Sequence, residues 1–112
     1  MVLHHYTSDS GRDLIMEYID SLSPQEQIDA FSVLECMENG EFEKIFFKRW
    51  EKKIFEVYFR KHNRIFYITV DNENIYLLHA CRKQKNQTEK IDKKIVIKRA
   101  KELGKIIGKK LI

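Results

Sequence analysis

Between Leu14 and Met37 the apolar residues recur every three or four positions, and between Ile45 and Arg82 they fall into short β-forming runs. The first pattern predicts helices. Leu14, Ile15, Tyr18, Ile19 and Leu22 form one apolar stripe, preceded by Ser8-Asp9-Ser10-Gly11, a turn able to cap a helix. Ser23-Pro24-Gln25-Glu26 is a second start signal: Ser23 can cap, Pro24 suits the first helical position, and Glu26 completes a capping box. Ile28, Ala30, Phe31, Leu34 and Met37 continue that helix with Val33 at its margin, and Asn39-Gly40 ends it. Residues 11–39 therefore read as a helical hairpin.

The second pattern predicts strands near 45–49, 54–60, 64–70 and 75–82. In the 54–60 segment Phe55, Val57 and Phe59 can face a core while Glu56, Tyr58 and Arg60 face outward. Ile75-Tyr76-Leu77-Leu78 suits a strand buried on both faces. The connections Lys61-His62-Asn63 and Asp71-Asn72-Glu73-Asn74 are short, which implies an antiparallel meander. Residues 1–6 can add a short edge strand. After a polar stretch from Lys83 to Gln87, Thr88 can cap a last helix carrying Ile91, Ile95, Val96, Arg99 and Leu103. The expected fold is α+β over a single domain, residues 1–112: an N-terminal helical hairpin packed on an antiparallel four-stranded sheet, five-stranded if residues 1–6 join, with a C-terminal helix.

Charge divides the chain more sharply than its net value of +4 suggests. Residues 1–43 hold one basic and ten acidic side chains, a net of −9, whereas residues 44–112 hold twenty basic and seven acidic, a net of +13. That second part has the electrostatic footprint of a polyanion binder. No apolar run approaches the roughly 18 residues of a membrane span, and the start lacks the regions of a signal peptide, so a cytoplasmic protein is expected. Cys36 and Cys81 form no metal-type spacing and are expected as free thiols.

The candidate chemistry gathers where strands end. His79-Ala80-Cys81-Arg82-Lys83-Gln84-Lys85 closes the fourth strand, Tyr58, Arg60, Lys61 and Arg64 lie around the preceding connection, and Lys48-Arg49-Trp50 closes the first. A meander can bring several of these to one face. Cleavage of RNA by its own 2′-hydroxyl needs a base, cations to stabilise the phosphorane, and an acid for the leaving oxygen; aromatics can stack on unpaired bases. The candidate catalytic residues are therefore Arg64, Arg82, Lys83, Arg60, Tyr58 and His79, with Lys48, Arg49, Trp50, Lys61 and Lys85 as RNA contacts. Each also has a structural reading: Arg60 and Arg64 as exposed strand residues paired to Glu56, Lys83 and Lys85 as solvated charges, His79 as a core histidine, Tyr58 and Trp50 as packing. No His/Cys/Asp/Glu set has zinc spacing, and no phosphate loop or serine or cysteine nucleophile motif occurs, so neither metal nor cofactor is expected.

Three segments carry a family resemblance: Lys53-Ile54-Phe55-Glu56-Val57-Tyr58-Phe59-Arg60, then Asn63-Arg64-Ile65-Phe66-Tyr67, then Leu77-Leu78-His79-Ala80-Cys81-Arg82-Lys83, closing at Thr88. They resemble the Glu-Leu-Arg-Phe, Tyr-Arg-x-x-Tyr and Leu-Leu-His-Gly-Phe-x-Lys-Lys…Thr-Pro segments of the HigB toxins, the phage-derived branch of the RelE/ParE superfamily. The resemblance covers nearly the whole chain. It implies a RelE-like fold and a metal-independent endoribonuclease that cuts messenger RNA, often on the ribosome, inhibits translation and is neutralised by a HigA-like helix-turn-helix antitoxin. It further implies that Arg64 contacts the scissile phosphate and that Arg82 and Lys83 serve it or its neighbours. Tyr58 stands where the family has Arg, Gln84 where it has the second Lys, Cys81 for Phe and Glu89 for Pro, so the cation set has moved. Two other classes stay open: a non-enzymatic gyrase poison, as among ParE relatives, and a passive RNA- or ribosome-binding module. Arg64 together with Arg82-Lys83 favours cleavage.

Overall fold

Asp13, rather than the Ser8–Gly11 turn, starts the first helix: its carboxylate accepts from the Met16 backbone N–H at 2.9 Å. The chain then runs β1 (Val2–His5), α1 (Leu14–Asp20), α2 (Pro24–Glu38), β2 (Phe46–Glu51), β3 (Ile54–Phe59), β4 (Asn63–Thr69), β5 (Asn74–Arg82) and α3 (Lys90–Ile107), with a 3-10 turn at Phe42–Lys44 before β2. The computed structural model describes residues 1–83 and 90–112. Lys85 and the Thr88 cap lie outside the described residues.

The five strands form one sheet in the order β1-β5-β4-β3-β2. β2 to β5 are the antiparallel meander that the short connections predict. β1 is the edge strand, but it pairs parallel to β5, so the sheet is mixed. A parallel partner requires a connection that crosses the sheet, and here everything from α1 to β4 supplies it.

Both faces of the sheet are covered. Val57, Ile65, Tyr67, Ile75 and Leu77 pack with Ile15 and Ile19 of α1 and Ala30, Val33, Leu34 and Met37 of α2. On the other face Ile54, Phe66, Ile68 and Leu78 pack with Val96, Ala100 and Leu103 of α3. Double coverage accounts for the burial of Ile75, Leu77 and Leu78 in β5, although Tyr76 between them is only partly buried, and one expectation is overturned. Glu56, placed outward by strand alternation, is 0% exposed.

α2 is rotated from its expected orientation. Ile28 and Phe31, counted in its apolar stripe, are 61% and 47% exposed. The buried stripe is Glu26, Ala30, Val33, Leu34 and Met37, which keeps the i, i+4, i+7, i+8, i+11 spacing of a helix face. A carboxylate stands in it because Glu26 is doubly engaged. Ser23 Oγ donates to Glu26 Oε1 at 2.9 Å, while Asn63 Nδ2 and Arg82 NH2 donate to Oε2 at 2.8 and 2.7 Å. Tyr18 OH donates in turn to Asn63 Oδ1. This network ties both helices of the hairpin to the β4–β5 end of the sheet. Ile91, placed on the stripe of α3, is likewise 69% exposed; Val96, Ala100 and Leu103 are the buried residues of that helix.

Hydrogen bonding by Asn63, then by Ser23 and Arg82, holds the Glu26 carboxyl down at about 2 against the desolvation that opposes it. A folded-state value below the unfolded one means stability is present above the unfolded value and is lost as pH falls. Between about pH 4.5 and 2 the wild type should therefore lose stability, and Glu26→Gln should show a flatter acid limb in thermal melts. Parallel acid limbs for the two proteins would count against the network.

Candidate nucleic-acid interface

Strand register brings basic side chains into two rows across the face shared with α3. Phe46, Tyr58, Arg64 and Cys81 are successive partners on β2, β3, β4 and β5, and Lys48, Glu56, Phe66 and His79 form the adjacent row. Glu56 is the centre. Lys48 Nζ, Arg64 Nε and Lys83 Nζ lie 3.7, 3.4 and 3.5 Å from its Oε1. These separations exceed good hydrogen-bond lengths, so the four groups form an ion-pair cluster. Among the described residues neither Glu56 oxygen has a hydrogen-bond partner. Three cations face one carboxylate, which leaves the cluster with a formal excess of positive charge.

Each cation is set by a different element. Arg64 is 13% exposed and its guanidinium lies 4.7 Å from the centroid of the Tyr58 ring. Lys83, a candidate catalytic cation whose alternative reading is a solvated charge, is only 5% exposed. Its backbone N–H donates to His62 O at 2.8 Å, which extends the β4–β5 pairing past Arg82 and turns the side chain in toward Glu56. Lys48, on edge strand β2, is 53% exposed and is the open side of the cluster. Its ammonium also sits 5.8 Å from the Tyr58 ring.

The other expected site residues are placed elsewhere. Arg82 points to the helical-hairpin face, where it pairs with Glu26 and donates to Lys61 O at 3.1 Å. Arg60 pairs with Asp29 of α2 at 2.6 Å. Arg49 lies over Phe55 on that same face, and Lys61 is an exposed turn residue with a positive φ of 59°. Trp50 packs edge-on against Phe66 at 5.1 Å, beside the α3 core. Of the named residues, Lys48, Tyr58, Arg64 and Lys83 come together.

His79 has the structural arrangement. Its Nε2 is 2.8 Å from Asp92 Oδ1 and its Nδ1 is 3.3 Å from Arg99 NH1. Arg99 can only donate, so Nδ1 accepts and Nε2 carries the proton toward Asp92. Burial lowers the affinity of the ring for a second proton, with Asp92 working in the opposite direction. Cys81 completes a group of three potential ligands whose atoms lie within 4.8 Å of one another. Their chemistry does not suit a metal ion. A metal on Nε2 would require a proton on Nδ1, facing the Arg99 guanidinium, where ligating histidines instead donate to an acceptor. Burial also pushes the Cys81 thiol up to about 12, far from the thiolate a metal needs.

Sequence reasoning missed Glu56 as the organiser of the cluster. The available signal was the register: once the meander is drawn, Lys48 and Arg64 fall on strands flanking the only acidic residue inside β3.

A five-stranded mixed sheet with helices on both faces, closing on a C-terminal helix, places this chain among α+β proteins compatible with the RelE fold. A family model described as phage-derived protein Gp49-like (DUF891) matches residues 17–101. The chain belongs to that family, a toxin-like group related to RelE and HigB, and such a family implies an antitoxin partner. No curated protein matches the sequence. Among the described residues no helix is long and apolar enough to cross a membrane.

Proposed function

We propose that this chain is the RNA-cleaving member of a HigB-like toxin–antitoxin pair, a single cytoplasmic domain acting on messenger RNA. The observation that carries the reading is the surplus of cations on Glu56. An RNA phosphate carries one negative charge and the phosphorane formed during 2′-hydroxyl attack carries more, so fixed cations already gathered at one point favour the transition state over the ground state. Arg64 grips the phosphate with its planar fork. Lys83 and Lys48 add charge from either side. Glu56 is a positioning residue: it holds mutually repelling cations at fixed separations, ready for a phosphate to share them. Arg82 contributes indirectly, by anchoring the strand end from which Lys83 projects.

Expression of the chain without antitoxin is expected to arrest growth with loss of intact transcripts and no change in DNA supercoiling. Altered supercoiling with intact transcripts would instead identify a gyrase poison, and growth arrest with neither change would point to passive ribosome binding. Co-expression of a neighbouring helix-turn-helix antitoxin of the HigA type is expected to restore growth. Because the cations are supplied by side chains, RNA cleavage by the purified protein should persist in EDTA. Loss of cleavage under chelation on a ribosome-free substrate would remove this mechanism.

A further inference from the structure

Phe46 is the exposed end of an aromatic and cationic stack. It begins edge strand β2 and is 70% exposed. Its ring lies 5.8 Å from that of Tyr58 at an interplanar angle of 22°, a stacked arrangement. Tyr58 in turn carries the Arg64 guanidinium. Register puts Phe46 and Arg64 on the strands either side of Tyr58, so both flanks of that ring are occupied. Among the described residues no strand lies beyond β2 in the sheet order, and the outward flank of Phe46 is the place where the row can be extended. The neighbouring Phe47 differs: its ring packs against Phe42 and Phe55 toward the helical hairpin.

We propose that Phe46 is a stacking subsite for an unpaired nucleobase of the RNA whose phosphate is held at Arg64, an inference that rests on the RNA-cleaving reading of the cluster. Flat aromatic faces beside fixed cations bind single-stranded nucleic acid by stacking bases while the cations follow the backbone. Two residues along β2, on the same face, Lys48 is 53% exposed and points its charge into the Glu56 cluster. An apolar protein segment laid over Phe46 would strip water from Lys48 without supplying a counter-charge, whereas RNA supplies a phosphate with every base. The surrounding charge thus favours RNA over a protein contact at this ring. Stacking also tolerates any base, so the subsite contributes grip and register rather than strict sequence choice.

The test uses the full chain and a fluorescent single-stranded oligoribonucleotide with 2′-O-methyl sugars, which blocks cleavage, alongside the same strand with abasic positions. Phe46→Ala is expected to weaken binding about 5- to 100-fold with little change in melting temperature, because the ring is mostly in solvent. Phe46→Leu, apolar but without a π face, should be nearly as weak, and Phe46→Trp should restore binding. Removing bases from the oligonucleotide should weaken the wild type but not weaken Phe46→Ala further. Wild-type affinity in Phe46→Ala or in Phe46→Leu overturns the stacking subsite and leaves the RNA reading standing. So does a Phe46→Ala variant that keeps RNA affinity but loses its antitoxin, which would make the ring a protein contact. If the wild type does not bind the oligonucleotide at all, the RNA reading fails and the subsite with it.

Discussion

Arg64→Lys should yield a folded protein that cuts RNA on the order of 10²–10³-fold more slowly than the wild type, the usual cost of losing one well-placed transition-state donor. Lysine keeps a charge near Glu56 but has neither the fork that spans two phosphate oxygens nor the planar face that lies on Tyr58. Arg64→Ala should be as inactive and also less stable. Its side chain is 13% exposed, packs on an aromatic ring and pairs with a buried carboxylate, so alanine removes packing and a counter-charge together. The pair of variants separates the two effects. Cleavage rate, normalised to the fraction folded at the assay temperature, should be low in both, while melting temperature should fall mainly in the alanine variant. Near-wild-type cleavage by folded Arg64→Lys would show that charge alone suffices and that the fork is irrelevant.

The second large effect belongs to Glu56. Glu56→Gln changes shape little but leaves Lys48, Arg64 and Lys83 around a neutral amide. Breaking a buried ion-pair cluster by removing one partner costs about 3–5 kcal/mol, reduced to about 2–4 kcal/mol here because Lys48 is half in solvent and screened. For a chain of this size that is a fall in melting temperature on the order of 10 °C. Inorganic phosphate should stabilise Glu56→Gln more than the wild type, since an anion can take the place of the missing carboxylate. RNA binding should survive while cleavage falls, because the cations remain but no longer hold their spacing. A Glu56→Gln protein that melts with the wild type, with no differential response to phosphate, would mean the three cations are not held by this carboxylate.

Much of the frame was legible beforehand because it rests on local physics. Ser23 caps α2 as the sequence indicates, its Oγ accepting from the Glu26 backbone N–H within one helical turn, while the Glu26 carboxylate accepts from the Ser23 hydroxyl, Asn63 and Arg82. The β2–β5 meander follows from short connections. Orientation was harder. Counting apolar residues put Ile28 and Phe31 on the inner side of α2, whereas the buried side is decided by Glu26, whose partners Asn63 and Arg82 lie 37 and 56 residues away. A carboxylate in a buried stripe is invisible to an apolar count. The site shows the same division. Arg64 and Lys83 were named from clustering and resemblance, but clustering in sequence also drew in Arg82, which strand alternation and the Glu26 pair send to the opposite face.

By itself the sequence determined which residues form helices and strands, the division of charge between the two parts of the chain, and the family to which it belongs. These depend on spacing, composition and local hydrogen bonding, all read within a few residues. The tertiary structure alone decided that α3 covers the second sheet face, and that Glu56, a solvent-facing residue by strand alternation, is buried with Lys48, Arg64 and Lys83 around it. It also decided that β1 joins β5 in parallel, and that Lys48, Arg64 and Lys83 meet on a single oxygen. Each of those outcomes pairs residues from different strands or helices. The energy of a charge depends on what lies within a few ångströms of it, and those neighbours exist only once the sheet register is set.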